Sequence, residues 1–172
     1  MNNAYYVYDS AFGRIVIESD GQAITCIKTE GNLLPKGKKK ANALTDKAAE
    51  QLEEYFTGKR DRFDVPLNPH GTEFQCSVWK ALQDIPYGET RSYKEIAQEI
   101  ANPNACRAVG LANNKNPIWI MIPCHRVIGS SGKLTGYAGG IELKERLIAF
   151  EREVASRDRT IDDTSGAAFA LR

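Results

Sequence analysis

Ser92-Tyr93-Lys94-Glu95-Ile96-Ala97-Gln98-Glu99-Ile100-Ala101-Asn102-Pro103-Asn104-Ala105-Cys106-Arg107-Ala108-Val109-Gly110-Leu111-Ala112 is the stretch on which the fold turns. Its first four residues spell a capping box, in which a serine hydroxyl and a glutamate three positions on satisfy each other's backbone amides. Ile96, Ala97 and Ile100 then mark the apolar face of a short helix. Asn102-Pro103 reads as an N-cap followed by proline at the first helical position, which predicts a second helix over 104–112. Two short helices joined by a tight turn form a helix-turn-helix. The second helix is nearly bald: Ala105, Cys106, Ala108, Gly110 and Ala112 are small, and Arg107 is its one long charged side chain. Such a helix lets another surface come close, either a neighbouring helix or the groove of a nucleic acid. It is poorly equipped to read base edges in a major groove, because Ala105, Ala108, Gly110 and Ala112 offer no polar side chains for them.

Downstream, the apolar run over 118–122 predicts a buried extended segment that stops at Pro123. Proline fixes its own φ and biases the residue before it away from helix, so the backbone is stiff where Cys124-His125-Arg126 follows. A thiol on a rigid turn beside an imidazole presents a nucleophile; the structural alternative is a small core cysteine. The four cysteines, Cys26, Cys76, Cys106 and Cys124, are scattered, with no C-x-x-C pair. That excludes a zinc ribbon or a disulfide scaffold and fits a reducing compartment. Of the two histidines, His70 falls in a linker and reads as a surface residue, leaving His125 as the base for Cys124. Neighbours on an extended chain point to opposite sides, so a bridging water is expected between them. An imidazole acting as a base needs an acceptor behind it. Residues 100–141 hold no Asp or Glu while carrying Arg107, Lys115, Arg126 and Lys133, so that acceptor must come from outside, and Glu151 on the last helix suits. Tyr93 is placed to give a proton to a leaving group. The same acid-free window suits a polyanion, or a buried segment with little room for charge.

Further outward, Thr72-Glu73-Phe74-Gln75 is another capping box, opening a helix that buries Phe74, Val78, Trp79 and Leu82, and Pro86-Tyr87-Gly88 turns the chain. Loops over 129–132 and 136–140 precede a last helix over 141–151 with Leu143, Leu147 and Phe150 inward. The tail beyond it is polar and weakly periodic, and is expected to be frayed. Towards the amino terminus, 5–8, 14–17 and 23–27 are β-branched and aromatic runs separated by Phe12-Gly13 and Asp20-Gly21, an antiparallel meander. Residues 36–40 read as a basic solvated linker. Leu44, Ala48, Leu52, Tyr55 and Phe56 lie on one helical face that Gly58 ends, and Phe63, Val65 and Leu67 alternate as a strand or extended linker. The predicted fold is thus an α/β amino-terminal domain over 1–68, a small antiparallel sheet plus helix. A mainly α carboxy-terminal domain over 69–152 with the helix-turn-helix follows, and then a polar tail over 153–172. With 172 residues, 42% of them hydrophobic, a net charge of +1 and a polar start, the chain is expected to be soluble and cytoplasmic.

Pro123-Cys124-His125-Arg126-Val127 resembles the active-site motif of O6-alkylguanine-DNA alkyltransferases. The likeness extends through Gly71-Thr72-Glu73-Phe74-Gln75, Pro86-Tyr87-Gly88-Glu89-Thr90, Ser92-Tyr93, Arg107-Ala108-Val109-Gly110, Asn116-Pro117 and Gly136-Tyr137-Ala138-Gly139-Gly140. It covers about residues 71–152; the amino-terminal part is similar in architecture alone, which in the family is ribonuclease-H-like. The resemblance implies DNA repair by irreversible, single-turnover transfer of an alkyl group from O6 of guanine in double-stranded DNA to Cys124. O4-alkylthymine is a further substrate to consider. His125, through a water, and Glu151 would activate the thiol, and Tyr93 would protonate the departing base. Arg107 would enter the base stack from the minor groove, with Ala105, Ala108 and Gly110 against the DNA. Backbone groups of Cys124 and Val127, with Tyr137 and Ala138, would form the guanine pocket, and Asn116 would brace the turn. Arg126 is assigned to structure. No cofactor and no metal are expected, since the Cys/His set that binds zinc in some relatives is missing, and a monomer is expected. Cys106 and Leu111 stand where some members carry smaller residues.

Three other readings compete. Alkyltransferase-like proteins bind damaged DNA and transfer nothing, but another residue replaces their cysteine, whereas Cys124 is present. A helix-turn-helix regulator fails on the bald helix, and a Cys–His hydrolase gives that helix no purpose.

Overall fold

The computed structural model describes residues 3–31 and 35–169. Strands β1 (Ala4–Ser10), β2 (Gly13–Ser19) and β3 (Ile24–Thr29) form the expected antiparallel meander, with Val7 opposite Val16 and Ile17 opposite Ile27. Gly13 makes the first turn at φ +95°, a conformation that costs glycine little and other residues more. The basic linker is not wholly solvated loop. Its Lys38–Lys39 forms β4, parallel to β1, giving the sheet order β3-β2-β1-β4. The pairing runs through backbone alone, Lys38 N–H to Asn3 O at 3.0 Å and Lys40 N–H to Tyr5 O at 2.9 Å. Pairing of this kind leaves no mark in residue types, and the exposed lysines discourage a further strand from adding there.

Helix α1 (Ala43–Phe56) starts at Asn42, whose side chain accepts from the Leu44 and Thr45 amides, and ends at Thr57 before Gly58. Its buried residues Ala48, Leu52 and Tyr55 belong to the same core as Ile15, Ile17, Ile24 and Ile27 of the sheet. Each large side chain buried there contributes about 1.5–3 kcal/mol. The free edge of β3 is covered by two other segments. Ile24 pairs with Pro66 and Asn68 (2.8 Å each), and Ile27 pairs with Pro117 (2.9 Å) and Trp119 (3.0 Å). The sheet therefore grips the segment that leads into Cys124.

The second half comprises α2 (Glu73–Gln83), β5 (Arg91–Ser92), α3 (Tyr93–Glu99), α4 (Cys106–Asn114), β6 (Val127–Ile128) and α5 (Ile141–Phe169). Both predicted capping boxes form, at Thr72 and at Ser92. Trp79 of α2 is buried and donates to Ala112 O of α4 at 2.9 Å, which ties α2 to the helix-turn-helix. In both halves most elements form where their local signals place them, and the class is the predicted one, α/β followed by mainly α.

Three local readings need correction. Helix α4 begins at Cys106, not Asn104, because Asn102 O accepts from the Ala105 amide at 3.0 Å. Asn102-Pro103 is thereby used in a turn, another conformation that proline's fixed φ suits. The run over 118–122 is buried but not extended. Ile118 makes a single bridge to Ile27, after which the chain turns, with Ile120 at φ +68°. A β-branched residue there is strained, and the surrounding core holds it: Ile118, Ile120 and Ile122 are all buried. The last helix does not stop near residue 151 but continues to Phe169. Val154 packs at Gly58 and Ala155 at Gly88, Glu153 and Arg157 pair four residues apart, and no proline interrupts the helix. The expected fraying of residues 170–172 lies outside the described residues. Among the described residues no helix is long and apolar enough to cross a membrane.

Candidate active site

Cys124 opens a 3₁₀ turn, Cys124–Arg126, so Cys124 and His125 are not on opposite sides of an extended strand. Asn116 braces the approach as expected, donating to Ile122 O at 2.7 Å and accepting from the Ile118 amide at 2.9 Å. The Cys124 carbonyl accepts from Asn113 Nδ2 at 3.2 Å and from the Val127 amide, so these two backbone groups are already engaged with protein partners. β6 continues from Val127 and pairs with β5 just before Tyr93, which joins the turn to the first helix of the helix-turn-helix.

Behind the turn lies Glu151, whose side chain is almost fully buried. Its Oε1 accepts from Tyr55 OH (2.6 Å) and Arg126 Nη2 (3.0 Å), and lies 2.7 Å from His125 Nε2. Its Oε2 accepts from Arg126 Nε (2.8 Å) and the Gly88 amide (3.2 Å). Burial alone would raise this carboxyl, but hydrogen bonds from His125 and Arg126 and the Arg126 charge outweigh it and hold the group well below the usual carboxylate range. Glu151 is therefore a carboxylate at neutral pH. Arg126, which also donates to Ile85 O at 2.7 Å, is a structural counter-charge, as its assignment anticipated. Burial lowers the His125 imidazole, so it is neutral. Facing a carboxylate, Nε2 carries the proton, and Nδ1, which meets no protein partner, keeps its lone pair.

Burial also pushes the Cys124 thiol up, against the Asn116 amide and the Lys144 charge. The resting thiol is protonated and needs a base. It lies in a cleft of about 250 Å³ that Asn113, Asn114, Asn116, Trp119, Tyr137 and Ala138 help to line. Lys28 and Thr29 reach the same cleft from β3. The Tyr137 hydroxyl accepts from the Trp119 indole and lies within hydrogen-bond reach of the thiol. A larger cleft, about 670 Å³, opens behind the turn beside Pro123 and Arg126, but Cys124 does not line it.

Tyr93, the first residue of α3, is held near the thiol by donation from its hydroxyl to Thr135 O at 3.1 Å, and burial raises its phenol. Lys144, fully buried, donates to Thr135 O (3.0 Å) and to Tyr93 OH (3.4 Å), with its Nζ 5.7 Å from the Tyr93 ring centre and 5.9 Å from that of Tyr137. Burial pulls this ammonium down to about 8.

The structure thus brings Cys124, His125, Glu151, Tyr93, Asn116, Tyr137 and Ala138 around one centre. Val127 adjoins it through the backbone. Arg107 and Ala108 stand exposed on α4, with Ala105 half-buried at its N-cap, outside the cleft. Gly110 backs onto the Tyr93 ring, where a Cβ would sit 3.8 Å from Cε1. Sequence reasoning missed Lys144, Tyr55, Trp119, Asn113 and Lys28. A signal for Lys144 existed: Lys144, Leu147, Ile148 and Glu151 follow helical spacing, and this is the fully buried face of α5, while Leu143 and Phe150 are only partly covered.

Residues 3–69 match the family described as the ribonuclease-like domain of 6-O-methylguanine DNA methyltransferase, and residues 73–153 match its DNA binding domain. A methylated-DNA–protein-cysteine methyltransferase of Methanosarcina acetivorans is 50% identical over 156 residues, covering 86% of this chain and 97% of the relative. One of Mycobacterium leprae is 44% identical over 158 residues, covering 90% and 96%. Among solved structures, Mycobacterium tuberculosis OGT in complex with DNA superposes with a TM-score of 0.83 at 47% identity, covering 88% of this chain and 94% of that one.

Proposed function

This chain belongs to the 6-O-methylguanine DNA methyltransferase family, and from that premise we propose that Cys124 takes the alkyl group of O6-alkylguanine in duplex DNA irreversibly, once per molecule. The activity is that of a methylated-DNA–protein-cysteine methyltransferase. The observation that carries the residue assignment is the line from the cleft inward: a protonated thiol on a 3₁₀ turn, the adjacent neutral His125 and, behind it, the saturated Glu151 carboxylate.

In this reading a water passes the thiol proton to His125 Nδ1, and Glu151 steadies the imidazolium without taking the proton itself. The thiolate attacks the alkyl carbon. An S–C bond forms, the C–O6 bond breaks, and its electron pair returns to the purine. The Tyr93 phenol, kept protonated by its raised pKa, supplies the proton that leaves guanine neutral. Lys144 donates to the same phenol oxygen, which eases its loss of a proton. The product is a thioether, which water does not cleave, so the protein acts once.

O6 is buried in a duplex and must leave the stack to reach a fixed thiol in a cleft. Arg107 is proposed to fill the gap from the minor groove, with Ala105, Ala108 and Gly110 allowing α4 to approach. Tyr137 and Ala138 hold the extrahelical base, Asn116 braces the turn beside it, and Val127 closes that turn through its amide. The two segments matched by the family divide the work: the second binds and reacts, and the first supports it. The protein is proposed to act as a monomer, without metal or cofactor.

Mass spectrometry after incubation with O6-methylguanine duplex tests the reading. Cys124 is expected to gain one methylene, saturating at one per chain, and Cys124→Ser is expected to bind the duplex while gaining nothing. Methylation of Cys124→Ser, or turnover beyond one equivalent, would refute it.

A further inference from the structure

Leu111 is 64% exposed, more than the other exposed large hydrophobics among the described residues, Tyr6 at 40% and Ile141 at 43%. A single surface leucine ordinarily needs no explanation. Its position does, because the exposed stripe of α4 runs Arg107, Ala108, Leu111 and Asn114, with exposed Lys115 at its C-cap. Leu111 is four residues after Arg107, one helical turn on the same face, and is the only large apolar side chain there. Asn114, three residues further, lines the cleft over Cys124, and Gly110 on the flank backs onto Tyr93. Leu111 therefore lies between the arginine and the lip of the reaction cleft. Helical side chains lean towards the helix amino terminus, which tilts Leu111 back over Arg107. No acid occurs in residues 100–141 to repel a phosphate backbone near it.

Resting on the reading of this chain as a duplex-DNA alkyltransferase, we propose that Leu111 is an apolar wedge. It packs in the minor groove against the base pair beside the lesion and holds the duplex open together with Arg107. Apolar side chains placed in a minor groove unstack base steps, and a leucine covered only in the opened complex favours that state selectively. Arg107 offers charge and hydrogen bonds to the vacated site, and Leu111 excludes water from its neighbour. The surface of Leu111 in the free protein is then the contact that the opened duplex covers.

The test compares second-order rates on O6-methylguanine duplex and on free O6-benzylguanine, with 2-aminopurine beside the lesion as a fluorescent report of unstacking. Leu111→Ala is expected to slow the duplex reaction about tenfold more than the free-base reaction, corresponding to loss of most of one buried leucine. It should weaken the 2-aminopurine signal and leave the salt dependence of binding as in wild type, since no charge is lost. Leu111→Met, which keeps apolar volume, should retain both rate and signal. Equal loss on both substrates would overturn the wedge, as would a duplex rate within about twofold of wild type. So would concentration-dependent dimerisation of the wild type that Leu111→Ala abolishes, because the leucine would then serve a second copy of the chain. A wild-type protein that gains neither methyl from the duplex nor benzyl from the free base would defeat the functional reading itself, a result distinct from these.

Discussion

Lys144 shows how much one buried cation decides. The fully covered ammonium sits between two tyrosine rings and donates to Tyr93, so its burial has been traded for control of the phenol beside the thiol. Its pKa falls from 10.5 to about 8, because burial disfavours the charged form. The folded protein therefore releases this proton before the unfolded chain does. Below pH 8 both states hold it and the burial penalty is fully present; between pH 8 and 10.5 the unfolded chain binds more protons, so the Lys144 contribution becomes less unfavourable as pH rises. Lys144→Met removes that titration. The stability of wild type minus that of Lys144→Met, from urea unfolding, is expected to rise across this window and to be flat below it. Alkyl transfer by the variant is expected to slow, with Tyr93 deprived of its donor. A difference that does not change with pH would mean that the lysine is not buried as a charge.

At the scale of elements, α4 divides its two faces sharply. Val109, Ala112 and Asn113 are buried, and Ala112 O receives the Trp79 indole, while Arg107, Ala108 and Leu111 are exposed. The buried face is anchored by α2 and α3, so the exposed face is presented on a rigid support and can lie flat in a groove. If Arg107 offsets the cost of an extrahelical nucleotide, it matters only where there is a stack to leave. Unpairing and unstacking a base costs a few kcal/mol, so Arg107→Ala is expected to slow duplex repair by about a hundredfold while slowing the free-base reaction far less. Loss of a mere phosphate contact would instead weaken binding to all sequences and lower the salt slope by about one. The ratio of the two rates in each protein decides between these. Equal losses would make Arg107 a support of the cleft.

At the scale of the whole molecule, Glu151 joins both halves. It accepts from Tyr55 of α1, the Gly88 amide in the loop after α2, and Arg126 of the active-site turn. The amino-terminal sheet holds the segment that leads into this turn, through Ile27. In the proposed reaction, the geometry around Cys124 therefore depends on groups from the first half of the chain. Gly88 is needed for this closure, since its φ is +78° and a Cβ would stand 3.0 Å from that of Ala155. Tyr55→Phe deletes one charge-assisted hydrogen bond across the two halves while keeping the ring. It is expected to cost about 1.5–3 kcal/mol in urea unfolding and to slow alkyl transfer without altering DNA affinity. A variant as stable as wild type would show that Glu151 is held sufficiently by Arg126 and His125.

Much of this protein was legible in residue order because its signals are local. The capping boxes at Thr72 and Ser92, the glycine after α1 and the β-branched and aromatic runs of the first strands all act within a few residues, and all formed. The proposal of a nucleophile at Cys124 could likewise be made from residue order, since a proline, a thiol and an imidazole in a row can be read without coordinates. Local reading erred where two local solutions compete: Asn102-Pro103 can start a helix or make a turn, and an apolar run can be strand or buried turn. There, packing chose. The partners of Glu151 lay beyond reach for another reason, since Tyr55 stands 96 residues away in the chain. A helix's rotation about its axis, which buries Lys144 and Glu151 while leaving Leu143 and Phe150 half-covered, depends on every surface it meets. Contacts of that kind come from the simultaneous packing of distant segments; helical spacing shows that Lys144 and Glu151 share a face with Leu147 and Ile148 but not that this face is the one to be buried.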